Sequence, residues 1–165
     1  MVTTSKSVNL TARDTKPFTV VPARTKGAVV KFSGDTIENP NTSAADIAIF
    51  DLGLTVDDIL VGLHAASDDA GATGTFDIGF YKRNNDGTFT VVEVDVIGND
   101  IDNSGAAIAL TNYRFSALNI TTVSAPIWSL AGLTARPAYS EIFIGLTFDG
   151  NDSQIASITL QALYT

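Results

Sequence analysis

Hydrophobic and polar residues alternate with a period of two along most of this chain. The alternation is clearest in residues 75–81, 140–148 and 156–164, and residues 47–52 and 92–96 follow it too. Side chains two residues apart point to the same face of a strand, so these stretches are predicted to be half-buried β-strands. The side chains expected to face the core in the three clearest stretches are Phe76, Ile78, Phe80, Ile142, Ile144, Leu146, Phe148, Ala156, Ile158, Leu160, Ala162 and Tyr164.

Turn-forming residues separate the predicted strands. Residues 84–87, Asn-Asn-Asp-Gly, indicate a hairpin, because Asn, Asp and Gly tolerate the positive φ of tight turns. Residues 149–152 carry the same chemistry, and residues 67–74 and 98–105 are expected to be longer, exposed loops. Short strands joined by such turns are typical of an all-β fold, an antiparallel β-sandwich or barrel.

Residues 125–133 follow a helical spacing and predict one short helix near residues 126–131. Its apolar positions are Ile127, Leu130 and Ala131. The residues placed to cap, begin and end it are Ser124, Pro126 and Gly132. Its apolar face is expected to close one end of the sandwich, with Trp128 giving the largest single burial.

Charge divides the chain into a basic N-terminal arm, residues 1–26, and a β-sandwich domain, residues 27–165. Residues 1–32 hold six of the ten basic side chains and one acid, for a net charge of +5, whereas residues 33–165 carry −13. Fully extended, an arm of this length reaches up to roughly 80 Å. We expect it to lie on an acidic surface, of another protein or of a second copy of this chain. The predicted docking residues are Lys6, Arg13, Lys16, Arg24 and Lys26.

The composition argues against several classes of function. Without cysteine the chain has neither disulfides nor thiolate chemistry, which fits assembly in a reducing cytoplasm. No apolar run approaches the ~20 residues of a membrane span, and residues 1–10 lack the apolar core of a secretory signal. An acidic domain whose basic residues sit apart from its aromatics disfavours nucleic acid. We therefore expect neither a membrane nor a nucleic-acid partner.

Residues that often carry catalysis are sparse. His64, the only histidine, falls on a predicted strand over residues 57–64, on the face opposite Ile59, Val61 and Leu63. No nucleophile lies at a spacing that would pair with it, so a surface histidine is predicted. The sequence also lacks a phosphate-binding glycine loop, a dinucleotide fingerprint and a nucleophile elbow. We predict no enzymatic activity and no cofactor.

Carboxylate-rich segments are the remaining candidates for a binding site. The acidic pairs at residues 57–58 and 68–69 and the Asp- and Asn-rich stretch at 98–105 offer the oxygen ligands that Ca²⁺ prefers. Hydrogen-bonded Asx turns explain these residues without a metal. We predict no metal site, with Asp100 and Asp102 as the candidate ligands should a cation bind. A sugar-stacking platform would have to come from Trp128, Tyr81 and Tyr113.

From residue 46 onward the chain resembles the decoration, or cement, proteins of tailed-phage heads. The first of three stretches that carry the resemblance is residues 47–53, a strand and glycine turn, with the strand at 58–63. The second is residues 71–81, a central strand ending in Gly79-Phe80-Tyr81. The third is residues 126–137, with Pro126, Trp128 and Leu130-Ala131-Gly132-Leu133 before a final hairpin. Ser129 replaces the acidic residue usual in that family, and residues 1–26 match nothing in it.

The resemblance implies a jelly-roll-like β-sandwich that binds the outer surface of a phage capsid. It implies a homo-oligomer, with a trimer favoured, and the major capsid protein as partner. The function would be to bridge neighbouring capsid subunits against internal pressure, on a virion assembled from protein made in the host cytoplasm. The alternative is a carbohydrate-binding or adhesin-like head-fibre or tail module that contacts the host, since one fold serves both roles.

Overall fold

A computed structural model describes residues 4–6, 30–38, 44–68, 74–102, 106–113, 125–149 and 157–165. In these ranges the chain forms nine β-strands and one short helix. The elements are β1 (Thr4–Lys6), β2 (Lys31–Glu38), β3 (Ile47–Thr55), β4 (Leu60–Ser67), β5 (Thr75–Arg83), β6 (Phe89–Asp102), β7 (Ile108–Asn112), α1 (Ile127–Leu130), β8 (Glu141–Phe148) and β9 (Ser157–Tyr164). No helix in the described ranges is long and apolar enough to cross a bilayer.

The strands form two sheets, and eight of them have the connectivity of a jelly roll. One sheet has the order β1-β3-β8-β5-β6 and the other the order β2-β9-β4-β7. Apart from the β5–β6 hairpin, each link between consecutive strands from β2 to β9 crosses from one sheet to the other, which is the double Greek key of jelly rolls. The predicted all-β, jelly-roll-like sandwich is confirmed. One edge differs from an antiparallel sheet, because β1 pairs with β3 in parallel.

The main core lies between the two sheets and contains the side chains that the alternation predicted. Phe76, Ile78 and Phe80 on β5 are fully buried, and so are the inward residues of β8 and β9. Phe76 and Phe148 meet edge to face with their ring centroids 6.3 Å apart. Ala156 lies outside the described residues. Period two therefore identified the inward face of each of these strands correctly.

The five-stranded sheet also carries an apolar cluster on its outer face, which the prediction of half-buried strands missed. Ile49, Tyr81 and Phe143 are at most 1% exposed and pack together, with Ile47 and Phe89 beside them. Each of the three alternates along its strand with residues of the main core. The central strands β3, β5 and β8 are therefore buried on both faces along part of their length.

Irregular pairing changes two predicted elements. The register of β4 shifts between Leu60 and Gly62, so Leu60 and Leu63 both enter the core. The prediction that Ile59, Val61 and Leu63 share one face was wrong, because a bulge reverses the alternation. The predicted loop at residues 98–105 was also wrong over its first half, since β6 continues through Asp102 and pairs there with Thr75.

Helix α1 is shorter than predicted, and its C-terminal end is closed by Gly132 as predicted. It spans residues 127–130, with Pro126 at the N-cap, while Ser124 lies outside the described residues. Gly132 has φ +71°, and the amides of Gly132 and Leu133 donate to the carbonyls of Ser129 and Trp128, the paired bonds of a Schellman C-cap. Trp128 is half-buried and packs against the main core. Tyr81 is the largest fully buried side chain among the described residues.

The Asn-Asn-Asp-Gly hairpin between β5 and β6 is confirmed. Gly87 has φ +85°, and its amide donates to Asn84 O at 3.0 Å. Asp86 fixes the turn by accepting hydrogen bonds from both the amide and the hydroxyl of Thr88. Those bonds hold the pKa of Asp86 below its usual value.

Candidate functional site

The predicted docking residues belong to the basic arm, and the structure describes one of their side chains. Lys6 lies on β1, where it pairs in register with Ile49 of β3. Its amine lies 5.9 Å from the centroid of the Phe89 ring, within range of a cation–π interaction. Arg13, Lys16, Arg24 and Lys26 lie outside the described residues. Lys6 therefore stands beside the outer apolar cluster of the five-stranded sheet.

The outer side of the four-stranded sheet carries few acidic or basic side chains among the described residues. The strand registers place one set of side chains on it, here called the Phe32 face: Phe32, Gly34, Thr36, Glu38, Gly62, His64, Ala66, Asn112, Ser157, Thr159, Gln161 and Leu163. Glu38, at one end of β2, is the one acidic or basic residue of this set apart from His64. The remainder are apolar, small or uncharged polar residues.

Phe32 is the most exposed large apolar side chain of the Phe32 face. It is 64% exposed, and it pairs across the strands with Leu163. A Cβ atom at Gly34 would lie 4.0 Å from Phe32 Cζ and 3.3 Å from Gln161 Cγ, so the ring leans over the glycine. Val30, two residues before Phe32, is 48% exposed. Two exposed apolar side chains therefore lie at the start of β2.

A partly buried ion pair fixes the chain at that point. Lys31 Nζ lies 2.8 Å from Asp58 Oδ1 and 5.0 Å from the centroid of the Tyr164 ring. Asp58 Oδ2 accepts hydrogen bonds from the amide and the hydroxyl of Thr55 at 2.7 and 2.9 Å. The backbone carbonyl of Asp58 accepts the amide of Ile127, which joins the same turn to helix α1. The start of β2 is therefore anchored to the rest of the fold.

The neighbouring carboxylate, Asp57, makes a different kind of pair. Arg136 Nη2 donates to Asp57 Oδ2 at 2.6 Å and Arg136 Nε donates to Asp57 Oδ1 at 2.7 Å. Both side chains are about half exposed. The Arg136 hydrogen bonds hold the pKa of Asp57 below its usual value, and those same bonds raise the pKa of Arg136. Asp57 and Asp58, the acidic pair considered as possible ligands in the sequence, therefore each form an ion pair within the fold.

Three carboxylates converge at one end of the five-stranded sheet. The side-chain oxygens of Asp77, Asp100 and Asp149 lie within 4.8 Å of one another. The amide of Asp100 donates to Asp77 Oδ1 at 2.8 Å, and Asp100 has a positive φ of 49°. Of the two candidate ligands from the sequence, Asp100 belongs to this group and Asp102 does not. The group offers the oxygen ligands that hard cations take.

The three carboxylates repel one another, and Asp149 shows the effect. Burial raises the pKa of Asp149, and the negative charges of Asp77 and Asp100 raise it further, against a hydrogen bond from Thr75 that lowers it. Sequence reasoning did not find Asp77 or Asp149 as members of the group. Asp77 is an outward position of β5 and Asp149 follows β8, so their proximity comes from the pairing of those two strands.

The other candidate residues do not form a site with one another. His64 is half-buried on the Phe32 face, opposite Asn112 and Gln161 in the registers of β7 and β9, so its predicted place on an outer surface agrees with the structure. Asp68 accepts a hydrogen bond from the Ser157 hydroxyl at 2.9 Å. Asp69 lies outside the described residues.

The aromatic residues considered for a sugar platform are separated and engaged in packing. Tyr81 belongs to the outer cluster of the five-stranded sheet, and its hydroxyl is hydrogen-bonded to the Thr147 hydroxyl. Trp128 and Tyr113 pack against the main core. Burial raises the pKa of both tyrosines. The three rings therefore do not line one exposed surface.

Comparison with known proteins identifies the fold. No family model and no curated protein matches the chain. A chain in a structure described as the capsid of Ralstonia phage GP4 aligns with 98% of this chain and 97% of its own length, with 17% identity and a TM-score of 0.58. A chain in the cyanophage Pam1 capsid asymmetric unit aligns with 91% of this chain and 95% of its own, with 16% identity and a TM-score of 0.48. At 17% identity, the likeness to the Ralstonia phage GP4 chain shows a shared fold.

Proposed function

We propose that this chain is a structural protein of a tailed-phage virion that binds the outer surface of the capsid and bridges neighbouring capsid subunits. In this proposal its partner is the major capsid protein, and it acts as a homo-oligomer, with a trimer favoured. It is made in the host cytoplasm and has no catalytic role or cofactor.

The observation that carries the proposal is the end-to-end match of its fold to the capsid structure of Ralstonia phage GP4. Both chains are covered almost completely, so the likeness is to a whole protein and not to one shared motif. Jelly rolls are frequent in viral capsid proteins, although they also occur in lectins. The resemblance of residues 46–165 to phage decoration proteins favours the capsid role over the lectin role.

The charge distribution of the chain supports the proposal that it attaches to another protein surface. A basic arm on an acidic domain can bind an acidic neighbour, and such contacts increase in strength when many copies bind one particle. Small interfaces that are weak singly become stable when they are repeated in this way. A bridging protein can use that property wherever each single contact with a capsid subunit is small.

The carbohydrate-binding alternative has less support. It needs exposed aromatic rings on one concave surface, but Tyr81 is buried, and Trp128 and Tyr113 pack against the core. The convergent carboxylates of Asp77, Asp100 and Asp149 are compatible with it, yet exposed acidic groups are common without a ligand. We therefore keep the capsid role as the conclusion.

The proposal is tested by the copy number of this chain in purified phage particles, measured by quantitative mass spectrometry against the major capsid protein. We expect a copy number of the same order as that of the capsid protein. A handful of copies per particle would favour the head-fibre or tail alternative. Absence of the chain from particles would contradict any virion role.

A further inference from the structure

We draw no further inference here: the strongest candidate, the cluster of the Asp77, Asp100 and Asp149 carboxylates at one end of the five-stranded sheet, is a group of partly or fully exposed acidic side chains, and no second feature of the described residues points to a ligand bound there.

Discussion

Two adjacent aspartates show how position within the fold sets the role of a residue. Asp57 is half exposed and holds Arg136 in a bidentate pair at the surface. Asp58 is nearly buried and holds Lys31 together with two hydrogen bonds from Thr55. Exposed ion pairs contribute little to stability, whereas removal of one partner of a buried pair leaves a charge without compensation. The two residues are of the same type and adjacent in sequence, but the ion pair of Asp58 is expected to stabilise the fold more than that of Asp57.

We predict that Lys31→Met destabilises the fold by about 1–3 kcal/mol, because the buried Asp58 side chain would lose its ion-pair partner and Tyr164 would lose the amine above its ring. The measurement is the free energy of unfolding from denaturant titration. Arg136→Met is the matched control and should have a much smaller effect, since Asp57 is solvated. Equal losses in the two variants would contradict the assignment of Lys31 as the anchor.

At the scale of elements, strand β8 depends on a glycine in its centre. Tyr81 pairs with Phe143 in the ladder, and its hydroxyl reaches Thr147, so its ring lies along β8 over Gly145. A Cβ atom at Gly145 would overlap Cδ2 and Cε2 of that ring and approach Ile49 Cδ1 to 2.9 Å. Gly145 thus provides the space in which the outer cluster of the five-stranded sheet packs.

Gly145→Ala is therefore expected to destabilise the protein by about 1–3 kcal/mol, the usual cost of overpacking a close-packed site. Gly62→Ala is the control, because a Cβ there would meet its neighbours no closer than 3.6 Å. That substitution should be neutral or slightly stabilising, since alanine restricts the unfolded chain. Chemical denaturation of both variants checks the pair. A neutral Gly145→Ala would show that the Tyr81 ring moves aside freely.

At the scale of the whole molecule, the jelly roll is complete without the basic arm. All eight of its strands lie between residues 31 and 164, and the arm contributes only β1 at the edge of one sheet in the described part of the chain. The arm nevertheless carries half of the chain's basic side chains. The eight strands of the sandwich and half of the basic side chains therefore lie in different parts of the sequence.

Deletion of residues 2–26 is predicted to leave a cooperatively folding sandwich that binds phage particles more weakly than the full chain. The advantage of the full chain should shrink as salt rises, because exposed charges are screened beyond about 8–10 Å at moderate ionic strength. Particle co-sedimentation at low and high salt measures this, with thermal unfolding as the control for folding. Glutamine at Arg13, Lys16, Arg24 and Lys26 should reproduce the loss. Attachment that is unchanged by deletion would rule out docking by the arm.

The sequence alone predicted the architecture because strand faces and tight turns are local properties. Period two identified the inward residues of β5, β8 and β9, and the residue types at Asn84–Gly87 and Gly132 predicted a hairpin and a helix end. The same reasoning failed where a strand departs from strict alternation, as at the register shift in β4. No distinctive residue type marks this bulge, so the sequence did not predict it.

The tertiary structure decided which residues, distant in the sequence, become neighbours. The convergence of Asp77, Asp100 and Asp149, the outer cluster of Tyr81 and Phe143, and the grouping of Phe32 with Leu163 all join residues far apart in sequence. Alternation tells which face of its own strand a side chain occupies, but not which strand pairs beside it or in which register. By itself the sequence determined a basic arm, an acidic β-rich domain and the inward residues of its strands. Only the closure of two sheets, through contacts between distant strands, decided which side chains share a surface.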